Sequence, residues 1–287
     1  MEIIDLINDY KKIEEDFKPI IVFLENNKEK YPEYKGFFTL QGPLVECPEI
    51  LFLGYNTGDG AYNEKTENKS AKSIPPPNLF DESKDKELEW YKKGNARGYF
   101  DKSKKWWYAY EWYERDQRIN NELPKKMIDL LYNIADIKFE QKSEKNKLPF
   151  WYEDFGQKIM FTNLYPIATT KIKNLEVMLN RLAKEEELKN TWEKHRRENE
   201  KFDNWIVRKF FLARIRKMIE LVNPKIIVCL GKSTMDDFVY KKFKIENNIY
   251  YSNEKVCESD VLGFSRRGNW SKNIPNIAKQ IVDIQKS

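Results

Sequence analysis

The chain has 287 residues, 51 Lys and Arg against 46 Asp and Glu, and a formal net charge of +5. That weakly basic balance does not by itself argue for nucleic acid. Three cysteines without a CxxC pair argue against a disulfide framework or a four-cysteine cluster, and the single His195 leaves little for a histidine metal site or a Ser-His-Asp triad.

In chain order, residues 2–28 space Ile3, Ile4, Leu6, Ile7, Tyr10, Ile13 and Phe17 as a helical stripe, with Pro19 marking a break or kink. A first strand is predicted at about 49–54, inside Glu49-Ile-Leu-Phe-Leu-Gly-Tyr-Asn-Thr-Gly58. A long polar stretch over about 57–105 follows, rich in Lys and carrying Pro75-Pro-Pro77, and such stretches in compact domains are usually functional or disordered. Trp106-Trp-Tyr-Ala-Tyr-Glu-Trp-Tyr113 reads as a helix start, and 124–137 as a helix opened by Pro124. A second strand is predicted at about 158–163, inside Lys158-Ile-Met-Phe-Thr-Asn-Leu-Tyr-Pro166. Residues 171–200 read as charged helix, and 204–222 as an amphipathic helix through Ile206, Phe210, Phe211, Ile215, Met218, Ile219 and Val222. Pro224 ends that helix, and a third strand follows at about 225–230, running into Gly231. A helix after Gly231, a short strand around 255–262, the loop Gly263–Trp270 and a helix at about 273–285 complete the reading.

Strands alternating with helices imply an α/β fold, three layers deep, around a mostly parallel sheet. The length suits one domain over 1–287 or two small ones, and the single domain is favoured, with an insertion at about 64–120. Cys229, inside the third strand, reads as a buried small hydrophobe, and His195, inside Glu193-Lys-His-Arg-Arg-Glu198, as a surface residue. No signal peptide and no apolar run of membrane length are seen, so the expectation is a cytoplasmic monomer without membrane contact.

Three parallel strands would bring their carboxyl ends to one crevice, where open α/β sheets bind ligands. Asn56 and Asn163 each stand just past an apolar strand-like run. A carboxamide donates and accepts hydrogen bonds in one plane, which suits a nucleobase edge. Both asparagines also read as ordinary turn or strand-end residues.

At Gly54-Tyr-Asn-Thr-Gly58 the chain resembles the uracil-DNA glycosylase superfamily. Four pieces come in that family's order: Asn56 after a first strand, Asn163 ending a second, the Pro224–Gly231 strand, and Ser265 within Gly263–Trp270. The resemblance spans roughly residues 45–275 as scattered motifs. It departs from the family where Thr57 replaces the first motif's proline, and where Gly263 or Phe264 stands in place of a frequent histidine. The resemblance implies a central, mostly parallel four-stranded sheet in an αβα sandwich, with the aromatic and basic insertion added to it.

It also implies a monofunctional DNA glycosylase without cofactor or metal, acting on duplex DNA with a flipped nucleotide and leaving an abasic site. Asn56 would position the attacking water, with Asp59 or Glu64 as the candidate carboxylate. Asn163 would read the base edge, and Tyr55 and Tyr62 would stack on it. Asp59 equally reads as a turn residue, and the two tyrosines as ordinary aromatics. Ser265, Arg266 and Arg267 would clamp phosphates while Trp270 or Phe264 wedges into the stack, with Asn269 a further DNA-binding residue, and the loop equally reads as a solvated surface loop. Residues 192–217 hold nine Lys and Arg against four Asp and Glu, a candidate backbone-contact face or a merely solvated helix.

Trp106 and Trp107, among lysines in the insertion, suit stacking on bases or on the apolar face of a sugar, and equally read as part of a hydrophobic helix covering the sheet. Without the late-loop histidine, uracil is the less favoured substrate. A bulky modified pyrimidine such as glucosylated hydroxymethylcytosine in phage DNA is favoured, in a role of antiviral defence. Two alternatives stay open: a catalytically weak nucleic-acid-binding module, and a small-molecule nucleoside hydrolase.

Overall fold

The computed structural model describes residues 3–37, 39–40, 44–58, 122–141, 155–169, 171–196, 201, 203–265 and 270–286. The first apolar stripe divides into α1 (Ile3–Glu15) and α2 (Lys18–Asn26). Pro19 lies in the first turn of α2, where an N–H has no helical acceptor, so it opens a helix instead of bending one. A short strand β1 (Gly36–Phe37) precedes β2 (Ile50–Gly58). Next come α3 (Glu122–Phe139), β3 (Ile159–Thr169), α4 (Ile172–Leu182) and α5 (Lys189–Glu193).

Helix α6 (Asn204–Val222) follows the predicted amphipathic segment. The Asp203 side chain accepts from the Trp205 N–H at 2.8 Å, and Asn223 closes the helix in the left-handed region at φ 48°. Strand β4 (Ile226–Leu230), α7 (Lys232–Phe238), β5 (Phe243–Glu246), β6 (Ile249–Ser252), β7 (Asp260–Phe264) and α8 (Trp270–Lys286) follow.

The strands form one mixed sheet of seven, in the order β1-β3-β2-β4-β7-β6-β5. Strands β3, β2, β4 and β7 pair in parallel, while β1 at one side and β6 and β5 at the other pair antiparallel. The sheet is therefore wider than the four strands expected. The added β5–β6 hairpin turns on Asn247 and Asn248, at φ 51° and 65°. Two left-handed residues in succession are what a tight hairpin turn requires.

Strand alternation separates two apolar layers. Ile50 and Phe52 of β2, Ile159 and Phe161 of β3, Val228 and Leu230 of β4, and Leu262 and Phe264 of β7 pack with α3 and α8. The intervening residues, among them Leu51, Leu53, Met160, Ile227 and Cys229, pack with α1, α2, α4, α6 and α7 on the other face. Helices cover both faces, giving an α/β fold of three layers.

Two strands run further than predicted. Strand β2 continues through Asn56, and β3 continues past Asn163 to Thr169. Neither asparagine stands beyond its strand. Pro166 does not end β3, because the ladder is irregular there: Asn56 pairs with Tyr165 but Gly58 pairs with Thr169. A proline lacking a donor N–H is accommodated at such a bulge.

Candidate functional site

The crossover from β2 leads to β3 on one side, and the chain then returns to β4 on the other, so the strand order reverses between β2 and β4. Open α/β sheets bind ligands outside the carboxyl ends at such a reversal. The residues there are Asn56 on β2, Thr169 on β3, Gly231 after β4 and Ser265 after β7. Gly231 turns the chain at φ 116°, a left-handed conformation that L side chains rarely adopt.

Parity along β2 sets Gly54 and Asn56 on the α3/α8 face, with Ile50 and Phe52. Parity along β3 sets Asn163 there too, with Ile159 and Phe161. Gly54 is the register partner of Asn163, and the Asn163 side chain lies across it. A Cβ on Gly54 would clash with Asn163 Oδ1 and stand 3.2 Å from Phe161 Cε2. Glycine is required here by close approach. Asn163 is 3% exposed. Asn56 is half-buried, and its Nδ2 donates to Thr169 Oγ1 at 3.0 Å, whose own hydroxyl donates to the Lys171 carbonyl at 3.0 Å. Two carboxamides thus share one face on neighbouring strands, one of them tied to a fixed hydroxyl.

Tyr55 points the other way. Its ring packs edge-on against Tyr165 with centroids 5.0 Å apart, and the residue is 4% exposed. The ring lies on the α6 face of the sheet, opposite to Asn56 and Asn163, so it cannot stack on a base held between those two, and the expected role for Tyr55 gives way to a polar one. Its hydroxyl accepts from Arg208 Nη1 at 2.8 Å and reaches Glu176 Oε1 at 2.8 Å. The Tyr165 hydroxyl accepts from the same Nη1 at 3.0 Å and donates to Asp237 Oδ2 at 2.7 Å. Arg208 also pairs directly with Glu176 on α4 and Asp237 on α7. Burial pushes both phenols up from their usual pKa, so they stay protonated and able to donate. Burial opposes the charge on Arg208, but Tyr165, Glu176 and Tyr55 outweigh it and hold the guanidinium protonated.

A second arginine on α6 is sunk further along. Arg214, 2% exposed, donates through Nη2 to the Tyr10 hydroxyl at 2.7 Å and the Thr39 carbonyl at 2.9 Å. Its Nη1 lies 3.5 Å from the Asn163 carbonyl, and the Thr39 hydroxyl donates to Glu14, itself buried. The basic run 192–217 therefore does not form one solvent-facing stripe: two of its cations, Arg208 and Arg214, are core residues of the α6 side. Charge within an apolar helix stripe was the available signal, since Arg208 precedes Phe211, Ile215, Met218 and Val222 at helical spacing.

Ser265 follows β7 at the carboxyl edge, two strands from β2, roughly 10 Å away at the ordinary strand spacing. Phe264 is buried against the α3/α8 layer and is no wedge. Asp59, Tyr62, Glu64, Trp106, Trp107, Arg266, Arg267 and Asn269 lie outside the described residues, as does the side chain of Trp270. Cys229 is buried, and burial raises its thiol pKa well above the usual range. His195 is half-buried, its ring edge-on to Phe210. Among the described residues no group of three His, Cys, Asp or Glu could hold a metal ion, and no helix is long and apolar enough to cross a membrane. No protein-family model matches the chain, and no curated protein matches it.

Proposed function

We propose that the protein is a monofunctional DNA glycosylase that hydrolyses the N-glycosidic bond of a flipped base and leaves an abasic site. The observation that carries this reading is the shared face of Asn56 and Asn163 at the carboxyl half of neighbouring parallel strands, with Gly54 kept bare between them. Asn56, its carboxamide plane set by Thr169, holds the water near the anomeric carbon. Asn163 pairs with a pyrimidine edge, donating to a carbonyl and accepting from an amino group. The C1′–N bond breaks with its electron pair leaving on the base, and the water oxygen bonds to C1′ as it gives up a proton. An amide is a poor base, so the transition state is dissociative and positioning supplies most of the rate. Asp59 and Glu64 are the candidate acceptors of that proton.

The favoured substrate is a bulky modified pyrimidine such as glucosylated hydroxymethylcytosine in phage DNA. The missing histidine after β7 weakens support for a uracil anion, and Trp106 and Trp107 offer rings for a sugar. The test is abasic-site formation on matched duplexes carrying uracil, 5-hydroxymethylcytosine or its glucosylated form. Excision should be greatest on the glucosylated duplex and fall about 10²–10³-fold in Asn56→Ala, with DNA affinity kept within a few-fold. Selective excision of uracil would overturn the substrate class, and wild-type excision by Asn56→Ala would overturn the reaction assignment. DNA binding without any excision would favour a binding module on the same scaffold.

A further inference from the structure

We infer that Arg208 is a positioning residue for Asn56, acting through the hydroxyls of Tyr55 and Tyr165. The inference rests on the reading of Asn56 as the residue that places the water. Regular pairing between β2 and β3 stops at Asn56, whose partner is Tyr165, and the register shifts before Gly58. The ladder alone therefore leaves the end of β2 weakly specified. The two residues that flank Asn56 most directly, Tyr55 in the chain and Tyr165 across the ladder, both turn to the α6 side and both accept from Arg208 Nη1. Leu164 and Tyr165 both belong to that side, so the alternation of β3 slips just where Asn56 needs its partner turned away.

The guanidinium is in turn held by Glu176 of α4 and Asp237 of α7, so three helices fix one point beneath Asn56. Apolar packing would give this corner as much stability, because a sunken guanidinium bears a desolvation cost that its partners do little more than repay. What a fully partnered polar cluster adds is a defined geometry. The fold holds a phenol on each side of the asparagine at hydrogen-bond distance from one cation.

Hydrogen exchange of the substrate-free protein, read by mass spectrometry, tests this for Tyr55→Phe, Tyr165→Phe and the double variant, which keep both rings. In the double variant the amides of 55–57 should exchange about tenfold faster or more, while those of β4 stay within about two-fold of wild type. Arg208→Lys, a single-point cation without the fork, should loosen the same amides. Unchanged exchange at 55–57, or equal acceleration across all strands, would overturn the inference. Should the lysine variant fail to fold, the phenylalanine variants still decide. On whichever of the three modified duplexes the wild type cleaves, the double variant should lose about tenfold in single-turnover rate with DNA affinity held within about two-fold. The exchange result needs no substrate, so it stands or falls separately from the glycosylase reading, which Asn56→Ala tests.

Discussion

The two faces of the sheet at its carboxyl end are built on opposite principles. Toward α6 lies a closed polar cluster in which Arg208, Tyr55, Tyr165, Glu176 and Asp237 satisfy one another. Toward α3 and α8 lie Gly54, Asn56 and Asn163 among Phe52, Phe161, Leu230 and Phe264, with one carboxamide tied to a threonine. Consecutive residues of β2 thus belong to different structures: Tyr55 anchors and Asn56 presents. Period-two alternation makes this division possible without a loop. A site carried on strands is held more rigidly than one carried on turns.

The comparison predicts that variants on the α6 side act first on stability and variants on the other face act first on chemistry. Arg208→Ala should show the largest effect, a loss of about 2–4 kcal/mol, because two phenols and the partly exposed carboxylates of Glu176 and Asp237 lose their shared donor. Urea unfolding followed by tryptophan fluorescence measures it. A loss under about 1 kcal/mol would mean that the cluster is loosely solvated and the two faces are alike. Gly54→Ala should be smaller in stability, about 1–3 kcal/mol, since the new methyl meets Asn163 Oδ1 and that side chain has little room to move. Its excision rate should fall far more than its stability implies, and a variant that melts lower yet excises normally would break the division between faces.

The amino edge of the sheet is a third region and a control. Glu49, at the entry to β2, pairs with Lys138 of α3 at 2.9 Å and Lys225 before β4 at 2.7 Å, and its carbonyl accepts from Gln285 of α8 at 2.9 Å. Burial works against the carboxylate, but the Lys225 and Lys138 hydrogen bonds prevail and lower its pKa. A carboxylate lowered on folding stabilises above its unfolded value, about 4.3, and loses that contribution as the pH falls through the folded value. Lys138→Met with Lys225→Met should therefore cost about 1–2 kcal/mol at pH 7, because the buried Glu49 carboxylate loses both partners while the exposure of Lys225 limits the Coulombic share. The difference from wild type should shrink on acidification toward pH 3, as thermal melts would show. Excision should not change.

Much of the fold was legible because its signals are local. Asp203, the stripe from Ile206 to Val222 and Pro224 define α6 by a cap, a period and a stop. The apolar runs before Gly58, Pro166 and Gly231 located three of the parallel strands. The β5–β6 hairpin is hard to read from sequence because its Asn247-Asn248 turn lacks glycine, and left-handed asparagines leave a weaker signal. Pro166 reads as a stop for β3, whereas the irregular ladder beyond Asn56 gives it a place within the strand.

By itself the sequence determined most of the helices, the strands around Leu51, Met160 and Val228, their order, and two asparagines near the ends of the first two of those strands. Only the tertiary structure decided which face each residue serves. Tyr55 becomes an anchor because α4, α6 and α7, distant in the chain, bring Glu176, Arg208 and Asp237 to its hydroxyl. Gly54 becomes the residue that fits because β3 lays Asn163 across it. Hydrogen-bond partners and close approaches of this kind depend on long-range packing, and no local period or propensity encodes them.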